Sequence, residues 1–124
     1  MLNSLSWHVK DNNNIYYRFR DYDLDQEYFD GLVGLYAIYY KTKNDYTQYV
    51  YIGQGNIRDR LKAHRLDPTI QMYGQQNQLC ITWAKDDSSR EIREGKEQYL
   101  HDKLFPLSSN PQNVPPIPVN LPPV

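Results

Sequence analysis

Cysteine occurs once in the 124 residues, at Cys80, so no internal disulfide can form, and no Cys/His set has the spacing of a zinc site. Within the apolar run Leu79-Cys80-Ile81-Thr82-Trp83-Ala84 that thiol reads as a small core residue. No apolar run approaches the roughly 20 residues that cross a bilayer, and the N-terminus lacks the charged-then-apolar pattern of a signal peptide. A cytoplasmic, intracellular protein with no membrane partner is therefore expected. Positive charge is not in excess either. Lys and Arg number 14 against 15 Asp and Glu, a formal net charge of −1, which argues against coating nucleic acid through bulk charge. From Leu104 onward there is no charge of either sign, and seven of the 8 prolines lie at or beyond Pro106.

What is present is a single domain with extensions. Tyrosine is abundant, with 12 copies, and suits half-exposed strands. Leu5, Trp7 and Val9 alternate, as do Ile15, Tyr17 and Phe19, with Asp11-Asn12-Asn13-Asn14 between them, which predicts an N-terminal β-hairpin. An acidic stretch from Asp21 to Asp30 follows. Residues 1–31 read as an extension serving structure, dimerisation or substrate choice, residues 32–110 as the core, and residues 111–124 as a proline-rich tail. The tail is expected to be extended and either packed along the domain or mobile, with a recognition ligand as the less favoured reading.

Leu32 to Thr42 is almost wholly apolar and aromatic, the mark of a strand covered on both faces. Lys43-Asn44-Asp45 supplies a turn, and Tyr49 to Ile52 returns as the partner strand. Strict alternation would place Tyr36 with Ile38 and Tyr40, and Tyr49 with Tyr51. Gly53 and Gly55 then allow a sharp turn or a close approach. Asn56 is a good N-cap for a helix from Ile57 to about Leu66. Ile57, Leu61 and His64 share its buried face, and Arg60 neighbours His64. Arg58, Arg60, Lys62 and Arg65 make the same helix basic, which fits a nucleic-acid face and equally a solvated surface. Thr69 to Tyr73 reads as a short helix and Leu79 to Ala84 as a third strand. Ser88-Ser89-Arg90-Glu91 resembles a capping box with Ser88 as N-cap, opening a helix that carries Ile92, Tyr99, Leu100 and Leu104.

Gly34-Leu35-Tyr36, Tyr51-Ile52-Gly53, the Ile57-to-Leu61 run with Arg60 inside it, Glu97 with Leu100 and Phe105-Pro106, and Asn110 together resemble the GIY-YIG nuclease superfamily. The resemblance spans about Gly34 to Asn110. It implies an α+β fold with a small antiparallel or mixed sheet, in a β-β-α-β-α core flanked by helices, and a metal-dependent endonuclease that hydrolyses DNA, with RNA as the alternative substrate. It assigns Glu97 to a single Mg²⁺ (or Mn²⁺) and Arg60 to the scissile phosphate. Tyr36 or Tyr51 would take the proton from water, a role that needs a cation to lower the phenol's pKa. His64 would orient a tyrosine or the phosphate, and Asn110 would complete the set. Rivals stay open at several positions: Ala37-Ile38-Tyr39 for the first motif, Arg58 for Arg60, Glu94 for Glu97 and Asn113 for Asn110. The interval 51 − 36 = 15 exceeds the family's usual spacing, and a longer hairpin tip at Asn44 to Gln48 would absorb the excess. With little chain beyond the core, specificity would come from a homodimer, a protein partner or DNA shape. A non-catalytic binding module is the competing expectation.

Overall fold

The computed structural model describes residues 4–109 and 111–124. At its centre is a hairpin of β2 (Val33–Lys41) and β3 (Thr47–Asn56), closed by a turn in which Asp45 takes a left-handed φ of 64°. β4 (Cys80–Lys85) pairs antiparallel with the other side of β2, and the two-residue β1 (Trp7–His8) pairs with β4. The order is β1-β4-β2-β3, so β2 is internal, which accounts for its unbroken apolar run. Three α-helices lie among the described residues, α1 (Ile57–Arg65), α2 (Pro68–Gly74) and α3 (Arg90–Leu104), with a 3-10 turn at Glu27–Phe29. The architecture is α+β, an antiparallel sheet with helices packed on it. No helix among the described residues is long and apolar enough to cross a membrane.

Both faces of the sheet are covered. On one, Tyr36, Ile38, Ile81 and Trp83 meet Ile57 and Leu61 of α1, Ile70 of α2, and Phe19, Leu24 and Phe29 of the N-terminal segment. On the other, Leu35, Ala37, Tyr39, Ile52 and Cys80 meet Leu100 of α3 and Leu5 and Val119 of the two ends. Cys80 is a buried free thiol, as its apolar surroundings suggest. Asn56 caps α1 by accepting from Asp59 N at 3.0 Å, and Asp67 caps α2 just ahead of Pro68.

Three expectations need correcting. Tyr49 and Tyr51 do not share a face. Ile38 opposes Tyr51 while Tyr39 opposes Tyr49, leaving Val50 as a bulge that interrupts the alternation. Tyr49 therefore packs with Tyr39, and Tyr51 with the cluster that holds Tyr36. Second, the arms of the N-terminal segment do not form a regular hairpin. Apart from a single Lys10–Tyr16 bridge they run along β4, with Ile81 N donating to Tyr17 O at 2.9 Å and Phe19 N to Leu79 O at 3.0 Å. The unpaired edge groups of β4 need partners, and these two arms supply them. Third, the N-cap of α3 is Ser89, which accepts from Ile92 N at 3.3 Å; Ser88 instead donates to Asp86. On α3 the buried residues are Gly95 to Gln98 and Leu100, and Ile92 is exposed.

The proline-rich tail lies along α3. Ile117 N donates to Gly95 O at 2.9 Å, and the Gln98 carboxamide accepts from Gln112 N and Asn113 N at 2.8 Å each. Asn120 then pairs with both backbone groups of Leu5, at 2.6 and 2.8 Å, so the two ends of the chain meet.

Candidate active site

β3 is an edge strand, and a cleft of about 410 Å³ opens beside it. Tyr51, Gln54 and Gly55 of β3 line it together with Arg60 of α1, Arg90, Arg93 and Glu97 of α3, and Gln112 of the tail. The two helices come from opposite layers of the fold, and residues of both line this cleft.

The geometry begins with Gly53. It is the direct cross-strand partner of Tyr36, whose ring lies across it, and a Cβ at this position would stand 2.3 Å from the Tyr36 hydroxyl. A bare backbone is therefore required for the ring to reach α1. There Arg60 Nε donates to Tyr36 Oη at 3.1 Å, and Tyr36 Oη lies 2.7 Å from His64 Nε2. Tyr36 is fully buried, so its one proton must go to one of these two partners. Arginine has no acceptor. The phenol must therefore donate to His64 Nε2, which assigns the imidazole proton to Nδ1 and leaves the ring neutral. Burial, reinforced by the neighbouring Arg60 charge, lowers the His64 pKa to about 4, consistent with that neutral form.

Tyr51 is placed differently. Its ring stacks parallel to Tyr36, with centroids 6.2 Å apart and planes 9° from parallel, and it lies 4.1 Å from the His64 ring. Its hydroxyl accepts from an Arg60 terminal nitrogen at 3.3 Å and lines the cleft. This placement depends on the Val50 bulge. Burial raises the pKa of both phenols, and the Arg60 charge opposes the rise without overcoming it. In the protein alone neither tyrosine is primed as a base, because the Arg60 charge by itself does not offset burial.

Glu97 is 5% exposed, and among the described residues its carboxylate has neither a hydrogen bond nor an ion pair. Burial raises its pKa to about 7, against the pull of Arg60. A desolvated carboxylate that faces a cleft could be relieved by a proton or by a bound cation. Among the described residues no group of three or more His, Cys, Asp or Glu gathers to enclose a metal. The site thus suits an ion that keeps most of its own water, as Mg²⁺ does with one or two carboxylates and substrate phosphates.

Tyr36, Tyr51, Arg60, His64 and Glu97 are thus brought together. Asn110 lies outside the described residues. The rivals sit elsewhere. Tyr39 is buried on the opposite face, with no partner for its hydroxyl among the described residues. Glu94 pairs with Arg90 at 2.8 Å. Asn113 uses its backbone N–H to hold the tail to Gln98. Arg58 donates to Leu24 O at 2.7 Å and to Gln26 O at 2.8 Å, and pairs with Asp30. Lys62 pairs with Asp25, and Arg65 donates to Phe19 O and Tyr22 O. The basic face of α1 is therefore occupied by the acidic N-terminal segment, and of its arginines and lysine only Arg60 reaches the cleft.

Arg90, Arg93, Gln54 and Gln112 were not foreseen. For the two arginines a signal existed: residues 90, 93 and 97 stand at i, i+3 and i+7 on one helix face. Comparison of the chain with protein-family models, with curated proteins and with solved structures finds no match.

Proposed function

We propose that this protein is a divalent-metal-dependent nuclease of the GIY-YIG type that hydrolyses phosphodiester bonds in DNA. The observation that carries the reading is the convergence of Tyr51, Arg60 and a desolvated Glu97, which has no partner among the described residues, on one cleft, with Tyr36 and His64 bonded behind them. Residues far apart in the chain share no structural need for this arrangement. A buried, unpaired carboxylate costs stability, so its retention favours a functional role.

Hydrolysis adds water across a P–O ester bond, the hydroxyl to phosphorus and the proton to the departing oxygen. Arg60 offers its remaining guanidinium donors to the phosphate, held in place by the two phenols it bonds. Tyr51 is the phenol at the cleft and the better placed to accept a proton from the attacking water; Tyr36, committed to His64, orients Arg60. Glu97 would hold Mg²⁺ or Mn²⁺, which supplies Lewis-acid polarisation of a phosphoryl oxygen and eases deprotonation of water.

The test is cleavage of supercoiled plasmid with Mg²⁺ or Mn²⁺ by the native chain, Glu97→Ala and Arg60→Ala at matched folding. Each substitution is expected to reduce the rate by about 10²-fold or more. Equal rates in all three proteins would overturn the mechanism. A second reading, a binding module without catalysis, draws on the two phenols held above their ordinary pKa. Metal-independent DNA binding with no cleavage of DNA or RNA by the native chain would establish it.

A further inference from the structure

Arg93 stands out among the cleft residues because it is anchored on two sides and still has donors to spare. Its Nε donates to Gln54 Oε1 at 2.9 Å, and one terminal nitrogen donates to Ser88 O. A guanidinium carries five N–H groups in a planar fork, so fixing it through these two nitrogens leaves the second terminal nitrogen for a ligand. Among the described residues no carboxylate pairs with Arg93. Arg90 on the same face, by contrast, is taken up by Glu94.

Its position relative to Arg60 gives the arrangement meaning. Arg93 is tied to Gln54, and the Arg60 side chain passes the next residue, Gly55, where a Cβ would lie 3.6 Å from Arg60 Cγ. Two fixed guanidinium groups, one from each helical layer, therefore flank the end of β3 one residue apart. They share a cleft whose lining contains one carboxylate, Glu97. A single phosphate ester needs only one such group beside the reacting position.

We propose that Arg93 forms a second phosphate subsite, holding the phosphate next to the one held by Arg60, so that the cleft takes a polynucleotide with consecutive phosphates rather than an isolated phosphodiester. This rests on the nuclease reading for the identity of the first phosphate. Gln54 and Ser88 fix the fork before the ligand arrives, so little side-chain freedom remains to be lost on binding.

The experiment reads binding, not cleavage, with metal removed by chelation. Affinity for a short DNA duplex is measured over a salt series for the native chain, Arg93→Gln and Lys43→Gln; Lys43 is exposed at the hairpin tip. Each neutralised phosphate contributes about 0.9 to the slope of log affinity against log salt, so Arg93→Gln is expected to lose about one unit and Lys43→Gln none. An unchanged slope in Arg93→Gln, or equal losses in both variants, overturns the proposal. A second measurement leaves the chain intact. A dinucleoside monophosphate competes with the duplex against the same compound carrying a 5′-phosphate, and the second is expected to bind about tenfold better. Equal affinities overturn the subsite even if Arg93→Gln does not fold. An Arg93-dependent slope in a chain that leaves plasmid uncut with Mg²⁺ or Mn²⁺ would overturn catalysis while supporting the subsite. Absence of duplex binding by the native chain would overturn the subsite, and the plasmid assay with metal then decides the nuclease reading by itself.

Discussion

At the scale of single residues, Glu97 separates function from stability most sharply. Its carboxyl has a pKa of about 7 in the folded chain because burial disfavours the charged form. Unfolded, it would titrate near 4.3. Between those values the folded state binds the extra proton, so stability falls as pH rises from about 4.5 to 7 and stays lower above that. Glu97→Gln keeps the shape of the protonated acid. It is therefore expected to match the native chain in stability at pH 5 and exceed it by about 2–3 kcal/mol at pH 8. Denaturant titration at both pH values checks this, and equal stabilities at pH 8 would show that the carboxylate is not strained. Mg²⁺ should raise the melting temperature of the native chain at pH 8 and leave that of Glu97→Gln unmoved. The grouping of Tyr36, Tyr51, Arg60, His64 and Glu97 was suggested in sequence by the resemblance to the GIY-YIG motifs, and the fold brings these five side chains together. The choice between the tyrosines was not legible there. It depends on which hydroxyl is buried against His64 and which reaches the cleft, and that follows from cross-strand register.

At the scale of elements, α1 shows how a charge pattern misleads. Four cations on nine residues suggest a nucleic-acid face, yet Arg58, Lys62 and Arg65 all hold the N-terminal segment. The acidic run from Asp21 to Asp30 was visible in sequence as the complementary charge; what was hidden is that it folds onto that helix. Backbone carbonyls are the stronger part of the contact, since ion pairs with exposed carboxylates contribute little. Arg58→Ala removes two bonds to backbone carbonyls of the N-terminal segment and is expected to cost about 1–3 kcal/mol. The salt slope of DNA binding should stay at the native value. A drop of one unit with unchanged stability would restore α1 as the binding face. The Val50 bulge is the other element-level feature beyond pattern reading. Alternating sequence encodes a face for every residue, and one extra residue inverts the assignment for all that follow. Here it turns Tyr51 toward Tyr36. Together with the five-residue tip, which spans Thr42 to Tyr46 instead of the expected Asn44 to Gln48, it sets the interval between Tyr36 and Tyr51.

At the scale of the whole molecule, the tail and the N-terminal segment close the fold against each other, and the tail also contributes Gln112 to the cleft. Its proline content was legible as extended chain. Its docking was not, because the receptor is the bare surface of Gly95, a glycine inside a helix where propensity alone disfavours it. A Cβ there would stand 2.7 Å from Ile117 Cδ1 and 3.0 Å from Pro115 O. The two effects of Gly95→Ala oppose one another. Alanine in place of glycine favours the helix by about 1 kcal/mol, while overpacking typically costs about 1–3 kcal/mol. Because Pro115 O belongs to a backbone held by the Ile117-to-Gly95 hydrogen bond, the clash is expected to win. Gly95→Ala should lower stability and expose residues 111–118 to limited proteolysis. Ile117→Ala removes the nearest side-chain atoms but leaves Pro115 O in place, so in that background the cost of Gly95→Ala should shrink. The double-mutant cycle measures that coupling directly. Additive effects would mean that the tail does not rest on Gly95, and that Gln112 is not held at the cleft by this contact.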